Sequence, residues 1–236
     1  MISSLTTEQQ AKIQEYYSFY LKKGLSTQPA NRSVAEKAVK EMYKLIKEKE
    51  PKCIWVNSPT ELITRTKNLS LDSSLYSSLY LSLDSSLDSS LRSSLDSSLR
   101  SSLRSSLYSS LLWGQFNSSW ISFFKYCNEV LDIQYQDKEV EKLNLWVGMM
   151  EVSFFFVFKG LTILMEHPKE LKVDGKGSTH CTTGYAVTFQ DGTGIYVVHG
   201  NNLTEEEFND CDKLYKEKRI DNLEYIEMKA RQRALV

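Results

Sequence analysis

The sequence lacks the short motifs that usually announce a chemistry. It has no phosphate-binding P-loop, no GxGxxG fingerprint, no HExxH zinc motif and no GxSxG nucleophile elbow. Its cysteines form no CxxC pair, which leaves zinc-finger and thioredoxin-type sites without support. We therefore predict no cofactor, assign no metal ligands, and expect four free thiols at Cys53, Cys127, Cys181 and Cys211.

An excess of charge of either sign is also missing. The 29 Lys and Arg residues nearly balance the 30 Asp and Glu residues, so nothing in the charge favours nucleic acid or an anionic membrane as a partner. The best membrane-span candidate, residues 146–165, is interrupted by Glu151 and Lys159, and its apolar run is too short to cross a bilayer. The first residues do not resemble a secretory signal. The prediction is a soluble, cytoplasmic protein.

What the chain has in abundance is a four-residue repeat between residues 69 and 112. Leucine recurs at every fourth position from Leu71 to Leu111, followed by Asp, Arg or Tyr and then, almost always, by two serines. A regular period of this kind usually builds a scaffold or a binding surface.

Three structures compete for this repeat. In an α-helix the leucine stripe would drift by about 40° per unit, although the Asp88/Arg92 spacing favours a helix. In β structure every leucine points to one side, including the irregular Leu81 between Leu79 and Leu83. Serine-rich disorder fits poorly with so regular an apolar pattern. We favour a β-solenoid-like layer over a superhelical α arrangement.

The variable position after each leucine is the natural outward surface of the repeat. Its tyrosines offer apolar anchors and its arginines offer charge, so a protein partner is the expected ligand. The predicted binding residues are Tyr76, Tyr80, Arg92, Arg100, Arg104 and Tyr108.

The flanking segments predict an α+β fold. Capping signals and helical periodicity mark N-terminal helices, and Ser58-Pro59 begins another. Alternating residues on either side of Asp191-Gly192-Thr193-Gly194 predict a hairpin in a C-terminal antiparallel sheet, followed by a charged closing helix. We divide one cooperative chain into a helical part at 1–68, the repeat at 69–112, a helix plus sheet at 113–202 and a C-terminal helix at 203–236.

The order of several features resembles a family of uncharacterised bacterial proteins. That family carries Leu- or Val-based tetrapeptide repeats before a Gly-Gln-x-x-x-x-Trp segment, and has His, Asp-Gly and His-Gly elements in its C-terminal half. No activity comes with the resemblance. The matching residues are Gly114-Gln115, Trp120, Asp174, His180, Asp191-Gly192 and His199-Gly200.

One polar constellation has chemical potential: Asp174, His180, Asp191 and His199. Two histidines with carboxylates can bind a divalent metal or provide a base and its orienting partner. The competing interpretation is that both Asp-Gly pairs are turns and both histidines are ordinary strand residues. A straight strand would separate Asp191 from His199 by more than about 20 Å. The candidates reduce to His180, His199 and Asp174, and we expect the two histidine side chains to lie more than about 10 Å apart, too far to share one metal.

Two functional hypotheses follow. The first is a non-enzymatic scaffold or protein-interaction module that uses the repeat surface. The alternative is a metal-assisted hydrolase with its site on the C-terminal sheet.

Overall fold

The computed structural model describes residues 1–67, 75–107, 117–175 and 177–234. The helices within these ranges are α1 (Thr7–Gly24), α2 (Arg32–Leu45), α3 (Pro59–Thr66), α4 (Tyr76–Ser94), α5 (Ser97–Leu107), α6 (Asn117–Glu129), α7 (Asp137–Gly148), α8 (Glu205–Asn209), α9 (Cys211–Lys216) and α10 (Asn222–Ala234). The strands are β1 (Lys52–Val56), β2 (Phe154–Phe158), β3 (Leu161–Met165), β4 (Glu170–Leu171), β5 (Val187–Thr188), β6 (Gly194–Val198) and β7 (Asn201–Leu203).

The helix starts follow their capping signals. Ser58 caps α3 with its side chain, as predicted. In α1 the capping box is formed by Thr6 and Gln9. The Asn31 side chain caps α2. The N-terminal part is helical, as the periodicity indicated.

The described repeat residues form the helices α4 and α5, so the β-solenoid prediction is wrong for this part of the chain. The predicted drift of the leucine stripe does not accumulate, because the helix breaks at Leu95, whose backbone is extended. The first residues of the chain fill the break: the Ile2 amide donates to the Ser94 carbonyl, and the Asp96 amide donates to the Ile2 carbonyl.

Different neighbours cover the leucines of the two helices. Helix α4 packs on α7 and β2, whereas α5 packs on α1 and α6. Leu83, Leu87 and Leu91 are fully buried, while Leu81 is 54% exposed. A helix places Leu81 away from its neighbours, whereas the β pattern placed it inside.

Two small sheets complete the fold. In the first, of order β1-β3-β2, β1 is parallel to β3 and β2 is antiparallel to it. The second, of order β4-β5-β6-β7, is antiparallel throughout, and it contains the predicted hairpin as β5 and β6. The α+β prediction with a C-terminal antiparallel sheet is confirmed.

A separate apolar core holds the C-terminal helices on the edge of the second sheet. Val198 and Leu203 contribute the sheet side, and Phe208, Leu214 and Met228 contribute the helix side. The closing helix is therefore three short helices rather than one, with α10 seated at the β6–β7 turn. None of the helices in the described ranges is both long and apolar enough to cross a membrane.

The two classes of leucine in α4 give a direct test of the repeat structure. Leu87→Ala leaves a cavity in the core and should lower the free energy of unfolding by about 2–5 kcal/mol. Leu81→Ala removes an exposed side chain and should change it by less than about 0.5 kcal/mol. Urea unfolding of the two variants measures the difference, and equal losses would contradict the helical assignment.

Candidate functional site

The structure brings His180, His199 and Asp174 together at one end of the second sheet. The imidazole centroids of His180 and His199 lie 4.3 Å apart, with the rings inclined by 23°. The expected separation of more than about 10 Å is therefore wrong. A straight strand separates His199 from Asp191, but it does not separate His199 from His180, whose segment is hydrogen-bonded beside β6 and the β6–β7 turn. A fourth residue, Glu224, completes the cluster.

The β6–β7 turn positions His199. Its register pairs Val198 with Asn201, so His199 and Gly200 form a two-residue hairpin loop. Both have positive φ, at 47° and 78°, as a type I′ turn requires. Glycine accepts this conformation freely, and histidine is among the residues that adopt it more often than most. The backbone of this turn therefore sets the direction of the His199 imidazole at the end of β6.

Asp174 lies in a loop that is closed by its own hydrogen bonds. The Asp174 amide donates to the Ser178 carbonyl over 2.8 Å, and the Ser178 amide donates to Asp174 Oδ1 over 3.0 Å. The second oxygen, Oδ2, faces the imidazole of His199, whose Nδ1–H donates to it over 3.1 Å. The loop thus fixes a carboxylate behind one of the two histidines.

Glu224 comes from the first turn of α10. It forms a capping box with Asp221: the Glu224 amide donates to Asp221 Oδ1, and the Asp221 amide donates to Glu224 Oε2 over 2.8 Å. The other oxygen, Oε1, lies 2.8 Å from His199 Nε2 and 3.3 Å from His180 Nε2. The capping box therefore fixes Oε2 of Glu224, and Oε1 remains as the acceptor for both imidazoles.

The sequence analysis does not single out Glu224, because it predicts the C-terminal segment only as a charged closing helix. The signal that could have found it is the Asp-x-x-Glu spacing of residues 221–224, which predicts a helix start. That spacing places Glu224 at a helix terminus, but it does not say which part of the sheet the terminus meets.

His180 lies one residue beyond the bridge between Val173 and Thr179. Its amide donates to the Lys172 carbonyl over 3.0 Å. Its Nδ1 accepts the backbone N–H of His199 over 3.2 Å, which leaves the proton of the neutral ring on Nε2, toward Glu224. Glu224 Oε1 is thus the acceptor that the two imidazoles share.

The cluster shifts the pKa values of its two histidines in opposite directions. Burial lowers the pKa of His180, and the neighbouring positive charge of His199 lowers it further, against the opposing effect of the carboxylates. For His199, burial also disfavours the proton, but the hydrogen bonds to Asp174 and Glu224 outweigh it and raise the pKa. His199 therefore keeps its second ring proton to a higher pH than His180 does.

The four side chains of the cluster differ in exposure to solvent. The side chains of His180, Asp174 and Glu224 are largely covered, whereas that of His199 is 44% exposed. Solvent can therefore reach the site at His199.

Asp191 does not join this site. Its carboxylate accepts hydrogen bonds from the Ser58 hydroxyl and from Thr193. Cys181, although adjacent to His180 in sequence, has its thiol in contact with the Thr183 hydroxyl instead. The sulfur is thus outside the cluster.

Most of the predicted repeat surface has internal contacts where it is described. The Tyr80 ring lies 5.1 Å from Trp120, between centroids. Arg104 donates to Asp88 over 2.9 Å, and Arg100 lies 3.6 Å from the same carboxylate. Arg92 also donates to Asp88, and its side chain is 70% exposed. Tyr108 and the Tyr76 side chain lie outside the described residues.

Comparisons of the chain with models of protein families, with curated proteins and with solved structures found no match. The resemblance to bacterial tetrapeptide-repeat proteins therefore stays a prediction.

The opposite pKa shifts predict the order in which the two histidines titrate. In the metal-free protein, NMR titration should give His199 a pKa above 6.5 and His180 a pKa below it. The stabilisation from charged His199 should then be complete at acidic pH and be lost as the pH rises through its raised pKa. Asp174→Asn should lower the pKa of His199, whereas Glu206→Gln, on α8, should not. An unchanged His199 titration in Asp174→Asn would contradict the network.

Proposed function

We propose that His180, His199 and Glu224 bind a divalent transition-metal ion of the zinc class. The observation that carries this is that one ligand atom from each residue lies within 4.8 Å of the other two. Two imidazoles and one carboxylate are a ligand set that zinc accepts, with metal–ligand distances of about 2.0–2.2 Å. The two rings are inclined by only 23°, so both imidazoles must also turn before their Nε2 lone pairs can meet at one ion.

Groups outside the ligand set support the proposal by orienting it. Asp174 accepts the Nδ1 proton of His199, so Nε2 can offer its lone pair to an ion. The Asp221 amide holds the second oxygen of Glu224, which leaves Oε1 for the ion. Carboxylates and amides behind the ligands are the usual support of metal sites.

Metal binding also requires a change of tautomer at His180. To coordinate through Nε2, its neutral ring must carry the proton on Nδ1, where the His199 amide now donates. The 3.2 Å contact should therefore open when the ion binds, which moves the backbone at His199 and gives a local spectroscopic signal for binding.

A hydrolytic role is the second candidate, and the exposure of His199 favours it. Three protein ligands leave a fourth position for water, as in catalytic zinc sites, and zinc lowers the pKa of its bound water to about 7. The test is hydrolysis of an activated ester by the zinc-loaded protein: a rate that Glu224→Gln abolishes and Glu206→Gln keeps supports the role, and equal rates overturn it.

The scaffold or interaction role suggested by the repeat remains a separate proposal. Burial of Leu83, Leu87 and Leu91 is in keeping with a repeat that serves the core of the protein.

Titration of the full-length, reduced protein with Co²⁺ and Zn²⁺ tests the metal site. We expect one Co²⁺ per chain with visible absorption bands of a four-coordinate ion, displaced by Zn²⁺, and without the near-ultraviolet band of a cobalt–thiolate bond. Glu224→Gln should remove this binding, and Glu206→Gln, an isosteric change at an exposed carboxylate, should preserve it. A thiolate band, or equal binding by both variants, would place the metal elsewhere.

Asp174 gives a further prediction, since it acts through His199. Asp174→Asn should weaken metal binding by about 10–100-fold without changing the stoichiometry, because the ligand loses its orienting acceptor. Isothermal titration calorimetry with Zn²⁺ measures the affinity, and thermal unfolding of the metal-free variant checks that the loop remains folded. An unaltered affinity would contradict the role of Asp174.

A further inference from the structure

The outer side of β1 is a sheet edge. Strand β1 pairs with β3 alone, at the end of the order β1-β3-β2. The Lys52 amide donates to the Gly160 carbonyl, and the Val56 carbonyl accepts from the Glu166 amide. In a parallel pair, alternate residues direct their peptide groups to the same neighbour. Lys52, Ile54 and Val56 therefore face β3 with their peptide groups.

The peptide groups of Cys53 and Trp55 consequently face away from β3. Within the described part of the chain, neither their N–H nor their C=O groups have a hydrogen-bond partner. Beyond them the Asn57 amide donates to Glu61, which ends the free edge. Unpaired strand edges are templates for an added strand.

A groove with a volume of about 570 Å³ runs along this edge. Its walls come from the start of α2, from β1 and from α3. It is lined by Arg32, Lys52, Cys53, Trp55, Asn57 and Arg65 together with Ile54. The lining residues thus include three cations and no carboxylate.

The cations keep part of their surface in solvent. Arg32 stacks on Trp55, with its guanidinium carbon 4.7 Å from the ring centroid, and its side chain is about half exposed. Arg65 lies 2.7 Å from Glu61 and is also about half exposed. Lys52 is exposed. Arg32 and Arg65 each keep a carboxylate partner, and the Glu36 carboxylate accepts from Trp55 Nε1 over 2.7 Å, but the side chains of the three cations are more exposed than these carboxylates.

We propose that the outer edge of β1 binds an extended acidic peptide by strand addition. Main-chain hydrogen bonds to Cys53 and Trp55 would supply a sequence-tolerant part of the affinity, and Arg32, Lys52 and Arg65 would select acidic side chains. The same cations disfavour pairing with a second copy of β1, since two such edges would bring like charges together. This site is separate from the metal cluster and does not depend on it.

The probes are three labelled peptides of the length of β1. The first alternates Glu and Val, the second alternates Lys and Val, and the third repeats the Glu–Val sequence with methylated backbone nitrogens. The first peptide should bind the full-length protein, with an affinity that falls as salt is added. The lysine peptide should bind at least about tenfold more weakly, because its charge repels the cations of the groove. The methylated peptide should also bind at least about tenfold more weakly, because it lacks the backbone N–H donors.

Two kinds of protein variant complete the test. Lys52→Gln and Arg65→Gln should each weaken binding up to about fivefold, whereas Lys22→Gln on α1, a matched change at a distant exposed cation, should not. Cys53→Pro removes an outward-facing donor without touching the bonds to β3 and should weaken binding about tenfold. Cys53→Val separates this from loss of the thiol, and urea unfolding checks the fold of the proline variant.

Equal binding of the methylated and unmethylated peptides would overturn strand addition, because it would show that binding depends on the charge of the peptide and not on its backbone N–H groups. Failure of the acidic peptide to bind, or binding that neither the cation variants nor Cys53→Pro alter, would also overturn it. The comparison of the methylated and unmethylated peptides uses the unaltered protein, so it tests strand addition even if Cys53→Pro does not fold.

Discussion

The Glu224 carboxylate is the contact on which the C-terminal third depends. One of its oxygens closes the N-terminus of α10 through Asp221, and the other accepts from both imidazoles. A single side chain thus joins a helix start, the β6–β7 turn and the segment that carries His180. The apolar core around Phe208 and Met228 fixes where α10 lies, and the carboxylate fixes how its first turn meets the sheet.

The same geometry links structure to the proposed chemistry. Without a metal ion, the two Nε2–H groups donate hydrogen bonds to Glu224 Oε1, and this arrangement raises the pKa of His199. A divalent ion would replace those protons with one larger charge at the same point, so protonation and metal binding compete for the same atoms. Asp174 accepts the His199 Nδ1 proton, and it would still accept that proton if His199 Nε2 bound an ion.

The sequence predicted the secondary-structure elements better than the tertiary contacts between them. Ser58-Pro59 and the Asp191-Gly192 hairpin were readable because capping and turn chemistry are local. The repeat was misassigned because a period of four fits both a strand and a drifting helix. Long-range contacts stabilise the helical alternative: Ile2 fills the break after Ser94, and separate partners cover α4 and α5. The convergence of His180, His199 and Glu224 likewise depends on tertiary packing, although the capping-box spacing at Glu224 was visible.

The most direct measurement of the central claim is anomalous diffraction, at the zinc absorption edge, from crystals of the reduced protein grown with Zn²⁺. The account predicts one peak per chain, about 2.0–2.2 Å from His180 Nε2, His199 Nε2 and Glu224 Oε1, with the contact between the His199 amide and His180 Nδ1 opened. A peak bound to cysteine sulfur, or crystals in which this cluster holds no zinc and keeps its hydrogen bonds, would contradict it.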